Sequence, residues 1–481
     1  MSDNMLNYIF RMFWIFFLAY VLVDTFCKSW NTENNEKGRK LQSGKATFVG
    51  YDPVWFPVMA LIYLVLCVGL SAAKRENILS NSMILIDMIL FITIYFTLLL
   101  LILPILRKYF TAKTCATFWL VPVVLYFEPY ILDTFALPPA AVIYIPENFL
   151  SIFICVWIAG FAVIFIIQVI SHIRFSRKLQ ENSHQIGDIA LWEKWNKMKK
   201  DMGLPLVIGL RYCSVIQTPL TVGMRLKNTI TYLPERSFTE EEAELIFAHE
   251  LHHIQRRDTH TKFFLKFCCA FGWIHPLVWL AVRKAEDDLE LSCDEIVLKD
   301  ADKEKRKRYA ELLLSIAGNS RGYSTCLSAS AKALRYRLKA TMPGKSKRKG
   351  VVLLFLIMLV GGLCMGKLTL ATNRGTLAEL TNQDTTEISH ASILTDRYED
   401  MQELKNVDAL SRYLSDLQAE EIFTAYDNDI TDGGVSGTFA DPDKFFALTE
   451  NYFNVMDEET GQNKQFYIRT PIDWKYIDAL K

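Results

Sequence analysis

The chain lacks net charge: 53 Lys and Arg balance 53 Asp and Glu. There is no global basic field for nucleic acid, so direct nucleic-acid binding is not expected. Cysteine is missing from residues 372–481. The ten cysteines (Cys27, Cys67, Cys115, Cys155, Cys213, Cys268, Cys269, Cys293, Cys326 and Cys364) lie in apolar runs, at their edges or in the core between them. That excludes a disulfide-stapled ectodomain, and the core thiols read as reduced. Lys and Arg are missing from the loop Ala136 to Asn148. The first apolar run has no small-residue cleavage site and is heavy in aromatics, so it reads as a retained span rather than a signal peptide.

What is present is apolar sequence in blocks: 51% hydrophobic and 13% aromatic, with positive mean hydropathy. A bilayer crossing takes about 20 residues. The blocks Leu6 to Phe26, Val54 to Ala72, Met83 to Leu106, Cys115 to Leu132, Phe149 to Ile173 and Val351 to Leu370 qualify. Pro122, Glu128 and Pro129 interrupt the fourth, which reads as re-entrant or tilted. Basic clusters follow the third block (Arg107, Lys108, Lys113) and the fifth (Arg174, Arg177, Lys178). Another precedes the sixth (Lys345, Lys347, Arg348, Lys349). The positive-inside rule makes all three cytoplasmic and the loop Ala136 to Asn148 external. Both termini then lie outside and the basic loop Lys28 to Lys45 inside. Lys74 and Arg75 fall outside, against the rule.

Between the fifth and sixth blocks lies Phe247-Ala248-His249-Glu250-Leu251-His252-His253-Ile254, which contains H-E-x-x-H. On a helix, His249 and His253 share a face and can aim two imidazoles at one ion. Glu250 lies about 100° round the helix and can instead take a proton from a water there. Two neutral imidazoles suit Zn²⁺. Capping boxes are possible at Ser237/Glu240 and Thr239/Glu242, and the acidic run Glu240 to Glu242 suits the helix dipole. A third ligand is needed, and Pro276 opens a second helix. Glu286, Glu290 and Asp294 fall on one face of it. We assign Glu290 as ligand and Asp294 as the acceptor that orients a ligand histidine; Glu286 and Asp287 remain alternatives by spacing. Cys293 reads as a small buried residue, although a thiol can bind metal. His252 is structural or an oxyanion-side donor. Phe263 to Trp279 reads as buried or interfacial rather than spanning. Val207 to Leu210 and Thr229 to Leu233 read as short strands, with Asn228 to Leu233 the edge that holds an extended substrate.

The runs H-E-L-H-H-I-Q-R-R-D, H-P-L-V-W and E-L-S-C-D-E-I-V-L resemble the zinc core of the BlaR/MecR family of membrane antirepressor peptidases. T-P-L-T-V-G followed by I-T-Y-L-P resembles the strands that precede the metal helix there. The resemblance omits the first 75 or so residues and the tail. Where the family has Asn-Pro, this chain has His275-Pro276, a spare histidine near the site. The resemblance implies a substrate that is a cytoplasmic repressor, the chain's own linker, or both, with cleavage in the region of Ser328 to Arg337. Penicillin-sensing relatives carry an S-x-x-K serine in their tail domain. This tail has none, so a β-lactam receptor role is not expected.

The basic stretch Asp300 to Lys349 reads as positive-inside flanking and a solvated helix face, with contact to anionic lipid as the alternative. In the tail, acids outnumber bases about two to one. Thr372 to His390 reads as a tether, Asp400 to Ala425 and Pro442 to Val455 as amphipathic helices, and Lys464 to Lys475 as one or two strands. The expected fold is mainly α: a multi-pass helical bundle, a cytoplasmic α+β gluzincin-like zinc domain, and a small extracellular α+β tail. The segments are an extra N-terminal hairpin (1–75), three spans (76–173), the zinc domain (174–348), a last span (349–371) and a tail (372–481) that senses an unknown extracellular ligand, binds a partner or is merely solvated. The expected protein is a zinc endopeptidase of a bacterial cell membrane. The other readings are a housekeeping protease of the HtpX or CAAX-processing kind, and a non-catalytic receptor or scaffold with a structural metal. An intact Glu250 speaks against the last, because a structural site has no use for a base.

Overall fold

A computed structural model describes residues 3–33, 52–74, 83–125, 139–318, 331–341, 347–364, 368–381, 388–394, 401–422, 433–458 and 462–481. The Lys28 to Lys45 loop beyond Glu33, residues 126–132 of the fourth apolar block, residues 328–330 of the linker, Arg75, Cys326 and Lys345 lie outside them.

The apolar blocks form helices α1 (Asp3–Glu33), α2 (Trp55–Lys74) and α3 (Met83–Tyr109). The short helices α4 (Ala112–Phe118) and α5 (Val121–Leu125) follow. Strand β1 (Ala141–Tyr144) leads into helix α6 (Glu147–Glu181). Three segments, Tyr8–Glu33, Leu85–Tyr109 and Glu147–Glu181, are long and apolar enough to cross a membrane. Their outward faces are apolar too: Phe13 and Leu101 are each 71% exposed and Ile152 is 65% exposed. A surface of that kind suits lipid rather than water.

The described part of the fourth block forms two short helices. Every residue of α4 and α5 is buried. At 1.5 Å per residue, α4 is only about 10 Å long, far short of a crossing. Thr111 caps it, accepting from Thr114 N–H. The described part of this block is a plug between helices.

Next comes a small α+β unit: β2 (Ser183–Gln185), α7 (Ile189–Asp201), β3 (Gly209–Cys213), β4 (Leu220–Val222) and β5 (Ile230–Pro234). The sheet order is β2-β3-β5-β4. This corrects the edge assignment. Strand β5 pairs with β3 on one side and β4 on the other, so β4 is the edge. The β4–β5 hairpin folds the chain back so that Thr221 faces Thr231. Gly223 permits this turn at φ +138°, where an added Cβ would sit 2.5 Å from the Asn228 carbonyl oxygen.

Helices α8 (Glu240–Arg256), α9 (Asp258–Phe271), α10 (Pro276–Val297), α11 (Lys303–Gly318) and α12 (Ala331–Thr341) complete the domain. Helix α9 packs against α6 through interlocked tryptophans. Trp157 Nε1 donates to the Phe271 carbonyl at 2.8 Å, and Trp273 Nε1 to the Trp157 carbonyl at 3.2 Å. A Cβ on Gly160 would lie 2.2 Å from the Trp273 ring, whereas one on Gly69 would meet nothing within 4 Å. Gly160→Ala should therefore destabilise by about 1–3 kcal/mol through overpacking. Thermal unfolding in detergent checks this against Gly69→Ala, for which no such loss is expected.

Helix α13 (Val351–Cys364) leads to the tail, an α+β unit built on a nine-stranded sheet. Its strands are β6 (Leu368–Thr376), β7 (Ile388–Leu394), β8 (Gln402–Glu403), β9 (Gln418–Ile422), β10 (Gly434–Phe439), β11 (Lys444–Thr449), β12 (Tyr452–Asp457) and β13 (Gln462–Ile468), joined by β1. Three expectations are corrected. The start of the supposed tether is strand β6, and its end opens β7. Within Asp400 to Ala425 the helix is only α14 (Val407–Ser415), followed by β9. Pro442 to Val455 is the β11–β12 hairpin, where Phe446 faces Val455 and Leu448 faces Phe453. Aromatic and β-branched pairs on one face favour strand over helix. Lys464 to Lys475 contains most of β13.

Strand β1, from the loop without Lys or Arg, pairs in parallel with β6. It sits at the head of α6, and β2 sits at its foot. At 1.5 Å per residue the 35-residue helix spans about 52 Å, so the tail sheet and the α+β unit lie at opposite ends of it.

Candidate metal centre

Helix α8 starts as one of the two expected capping boxes. Thr239 accepts from the Glu242 N–H at 3.2 Å, and Glu242 accepts from the Thr239 N–H at 2.9 Å. The helix ends at Arg257, which is left-handed at φ +55° and turns the chain sharply into α9. His249 and His253 thus lie in the last two turns of α8, facing α10.

Three donor groups converge. His249 Nε2 lies 3.1 Å from His253 Nε2. One Glu290 oxygen is 3.4 Å from His249 Nε2 and the other is 3.6 Å from His253 Nε2. With bonds of about 2.0–2.1 Å, a tetrahedral zinc ion holds its donors about 3.3–3.4 Å apart, so this triad fits one. Glu250 stands aside from the triad. It is 7% exposed and accepts from Thr221 Oγ1 of edge strand β4 at 2.7 Å.

Each ring's other nitrogen is engaged. His253 Nδ1 is 2.6 Å from Asp258, and His249 Nδ1 is 3.3 Å from Asp294 and 3.1 Å from the Tyr309 hydroxyl. Tyr309 itself donates to Asp294 at 2.6 Å. Arg337 of α12 grips Asp294 with two bonds of 2.7 Å. Lys262 of α9 donates to Glu290 at 3.0 Å. Burial opposes ionisation of Glu290, but the Lys262 ammonium and the contacts with His253 and His249 together hold the carboxyl well below the usual range. Burial likewise opposes ionisation of Asp294, and the Arg337 guanidinium and His249 together hold it below its usual value. Both carboxylates are therefore charged at neutral pH, the state that a cation or an N–H donor requires.

The other candidates sort themselves. Glu286 pairs with Lys266 at 2.7 Å and Asp287 with Lys284 at 2.6 Å. His252 is held neutral, its pKa pushed down to about 3 by burial and by Arg256. Its Nδ1 has no hydrogen-bond partner. His275 is corrected: it is the residue capping the start of α10, about 22 Å along the helix axis from Glu290. Cys293 is buried with its sulfur 3.4 Å from His253 Nδ1. His253, Asp258 and Cys293 form a second cluster of donor atoms, but the Arg256 guanidinium contacts both Asp258 and Cys293. A fixed cation there disfavours a metal. In the linker, residues 331–341 form helix α12.

Sequence reading did not single out Asp258, Tyr309, Lys262, Arg337 or Thr221 as site residues. Asp258 and Thr221 lie inside the quoted runs, so a signal was at hand. Tyr309 and Arg337 come from stretches that read as a solvated basic face.

A family model described as BlaR1 peptidase M56 matches residues 138–341. The Regulatory protein BlaR1 of Bacillus licheniformis is 28% identical over 187 residues, covering 39% of this chain and 31% of that protein. The methicillin resistance mecR1 proteins of Staphylococcus aureus and Staphylococcus epidermidis are 30% identical over 111 residues, 22% of this chain and 18% of theirs. The match thus spans about a third of the first relative's length and less of the others. The matched segment runs from β1 through α12 and contains every residue of the triad, in a family of metallopeptidases. Residues 138–341 thus match the BlaR1 peptidase M56 family, and over this stretch the chain is similar to BlaR1 and mecR1 proteins.

Proposed function

We propose that the protein is a membrane-embedded zinc endopeptidase, which transduces an external signal by cutting a cytoplasmic transcriptional repressor, its own linker, or both. The observation that carries this reading is the convergence of His249, His253 and Glu290, with the separate carboxylate of Glu250 beside them. A zinc ion bound there would polarise a carbonyl and make water ionisable near neutral pH.

The chain's own groups supply the rest. Asp258 and Asp294 hold the two Nδ1 atoms, which leaves the Nε2 lone pairs to face the ion. Glu250 takes the proton of the attacking water and returns it to the leaving amine. Thr221 binds one oxygen of that carboxylate and so aims the other. Strand β4 ends its sheet beside α8, so an extended peptide can add to it by backbone pairing. The basic clusters support a cytoplasmic metal domain, and the length of α6 supports a tail on the opposite face. The repressor assignment rests on the resemblance to antirepressor peptidases.

The test is metal analysis with a proteolysis assay on full-length protein in lipid vesicles. About one zinc per chain is expected. Chelation should stop cleavage of an added repressor or of the linker, and zinc should restore it. Protein that holds no zinc, or that cuts as well after chelation, sinks the reading. Chelator-sensitive cutting of unfolded membrane proteins alone would favour a housekeeping protease.

A further inference from the structure

The N-terminal helices lie outside the matched residues 138–341, yet they reach the metal centre. Glu33 ends α1, and its side chain is 1% exposed. Lys113 of α4 pairs with it at 2.9 Å and also donates to Ser29 of α1 at 2.7 Å. The Arg256 guanidinium, 1% exposed, lies 4.0 Å from the Glu33 carboxylate. Arg256 in turn donates to Asp258 at 2.6 Å, and Asp258 binds His253 Nδ1 at 2.6 Å. A line of alternating charge thus runs from α1 to the imidazole, its Glu33–Arg256 step a 4.0 Å ion pair rather than a hydrogen bond.

A second contact fixes the same corner. Asp52, just before α2, lies 2.7 Å from His260 Nδ1 and 3.2 Å from the Arg257 guanidinium. Phe56 of α2 packs edge-on to Phe264 and Phe267 at 5.5 and 5.9 Å.

Two buried cations, Lys113 and Arg256, face two buried anions, Glu33 and Asp258, so this buried group is neutral as a whole. Without Glu33 the cations of this group are in excess, and the carboxylate that faces Arg256 is gone. We propose that Glu33 is a positioning residue of the metal centre: it fixes Arg256 against Asp258, and through Asp258 the His253 tautomer that offers Nε2 to the ion. The proposal rests on the reading of His253 as a metal ligand. It makes the N-terminal hairpin part of the site in this chain.

The experiment compares full-length wild-type protein, Glu33→Gln, Glu33→Asp, Asp258→Asn and the double variant Glu33→Gln/Asp258→Asn. Zinc affinity is read by competition with a chelator, and geometry by the visible absorption of cobalt(II)-substituted protein. Glu33→Gln should bind zinc about tenfold more weakly, the lower end for an outer-shell partner. Its cobalt bands should shift, and Glu33→Asp should fall between it and wild type. The double variant should lose no more affinity than Asp258→Asn alone, because both changes act on one line. Wild-type affinity with unchanged bands in Glu33→Gln overturns the proposal, as does a loss that adds fully to that of Asp258→Asn. Should Glu33→Gln give no folded protein, Glu33→Asp decides: several-fold weaker binding supports the proposal, and wild-type binding and spectrum overturn it. Wild-type protein that takes up no zinc fails the metal reading itself, and the proposal with it.

Discussion

Glu250→Ala should abolish peptide cleavage while leaving the zinc content near that of the wild type. Glu250 is not among the three converging donors. Its carboxylate is instead held by Thr221 of the edge strand, next to where a peptide can pair. Loss of a positioned general base costs about 10²–10⁴-fold in rate. The substitution deletes a buried charged group whose described partner is a neutral hydroxyl, which can re-pair with Thr231 at 2.9 Å. The fold should therefore survive, as circular dichroism and thermal unfolding will show. Full-rate cleavage by purified, zinc-loaded Glu250→Ala would remove Glu250 from the mechanism.

Glu290→Gln should strip the metal. This change keeps the volume of the side chain but removes its charge. Lys262 lies 3.0 Å and Arg337 3.6 Å from the carboxylate. Without the charge, two cations face the place of a third, and their repulsion adds to the lost ligand bond. Outer partners alone cost about 10–100-fold in metal affinity, so removing a direct donor should cost more than about 100-fold. Chelator competition measures this, with cleavage lost in parallel. Zinc affinity within a few-fold of the wild type would show that Glu290 does not bind the ion. Asp294, gripped by Arg337 and Tyr309, remains in place either way.

The site was legible where one helix turn carries the chemistry. The spacing of His249, Glu250 and His253 fixes their faces before any tertiary contact forms. Spacing left Glu286 and Asp287 open beside Glu290, and the structure groups Glu290 with the two histidines while the other two pair with Lys266 and Lys284. Tyr309 and Arg337 were hidden for a physical reason. A Tyr and an Arg on basic amphipathic helices carry no local sign of burial, and only packing of α11 and α12 onto α10 brings them to Asp294. The tail misled for another reason. Lys444 to Val455 has too few residues for its alternation to stand out, and cross-strand partners such as Phe446 and Val455 come from different strands. The described part of the fourth apolar block is wrapped by protein, which hydropathy does not report: it measures how apolar a run is, not what surrounds it.

Strand β6 follows closely on α13 and pairs with β1 at the head of α6. The tail is thus bolted to two helices at once. Turning it over the membrane has to twist α6 as a driveshaft, with β2 and the metal domain at the far end. Torque, rather than the coming and going of a loosely hung domain, is the motion this architecture can carry.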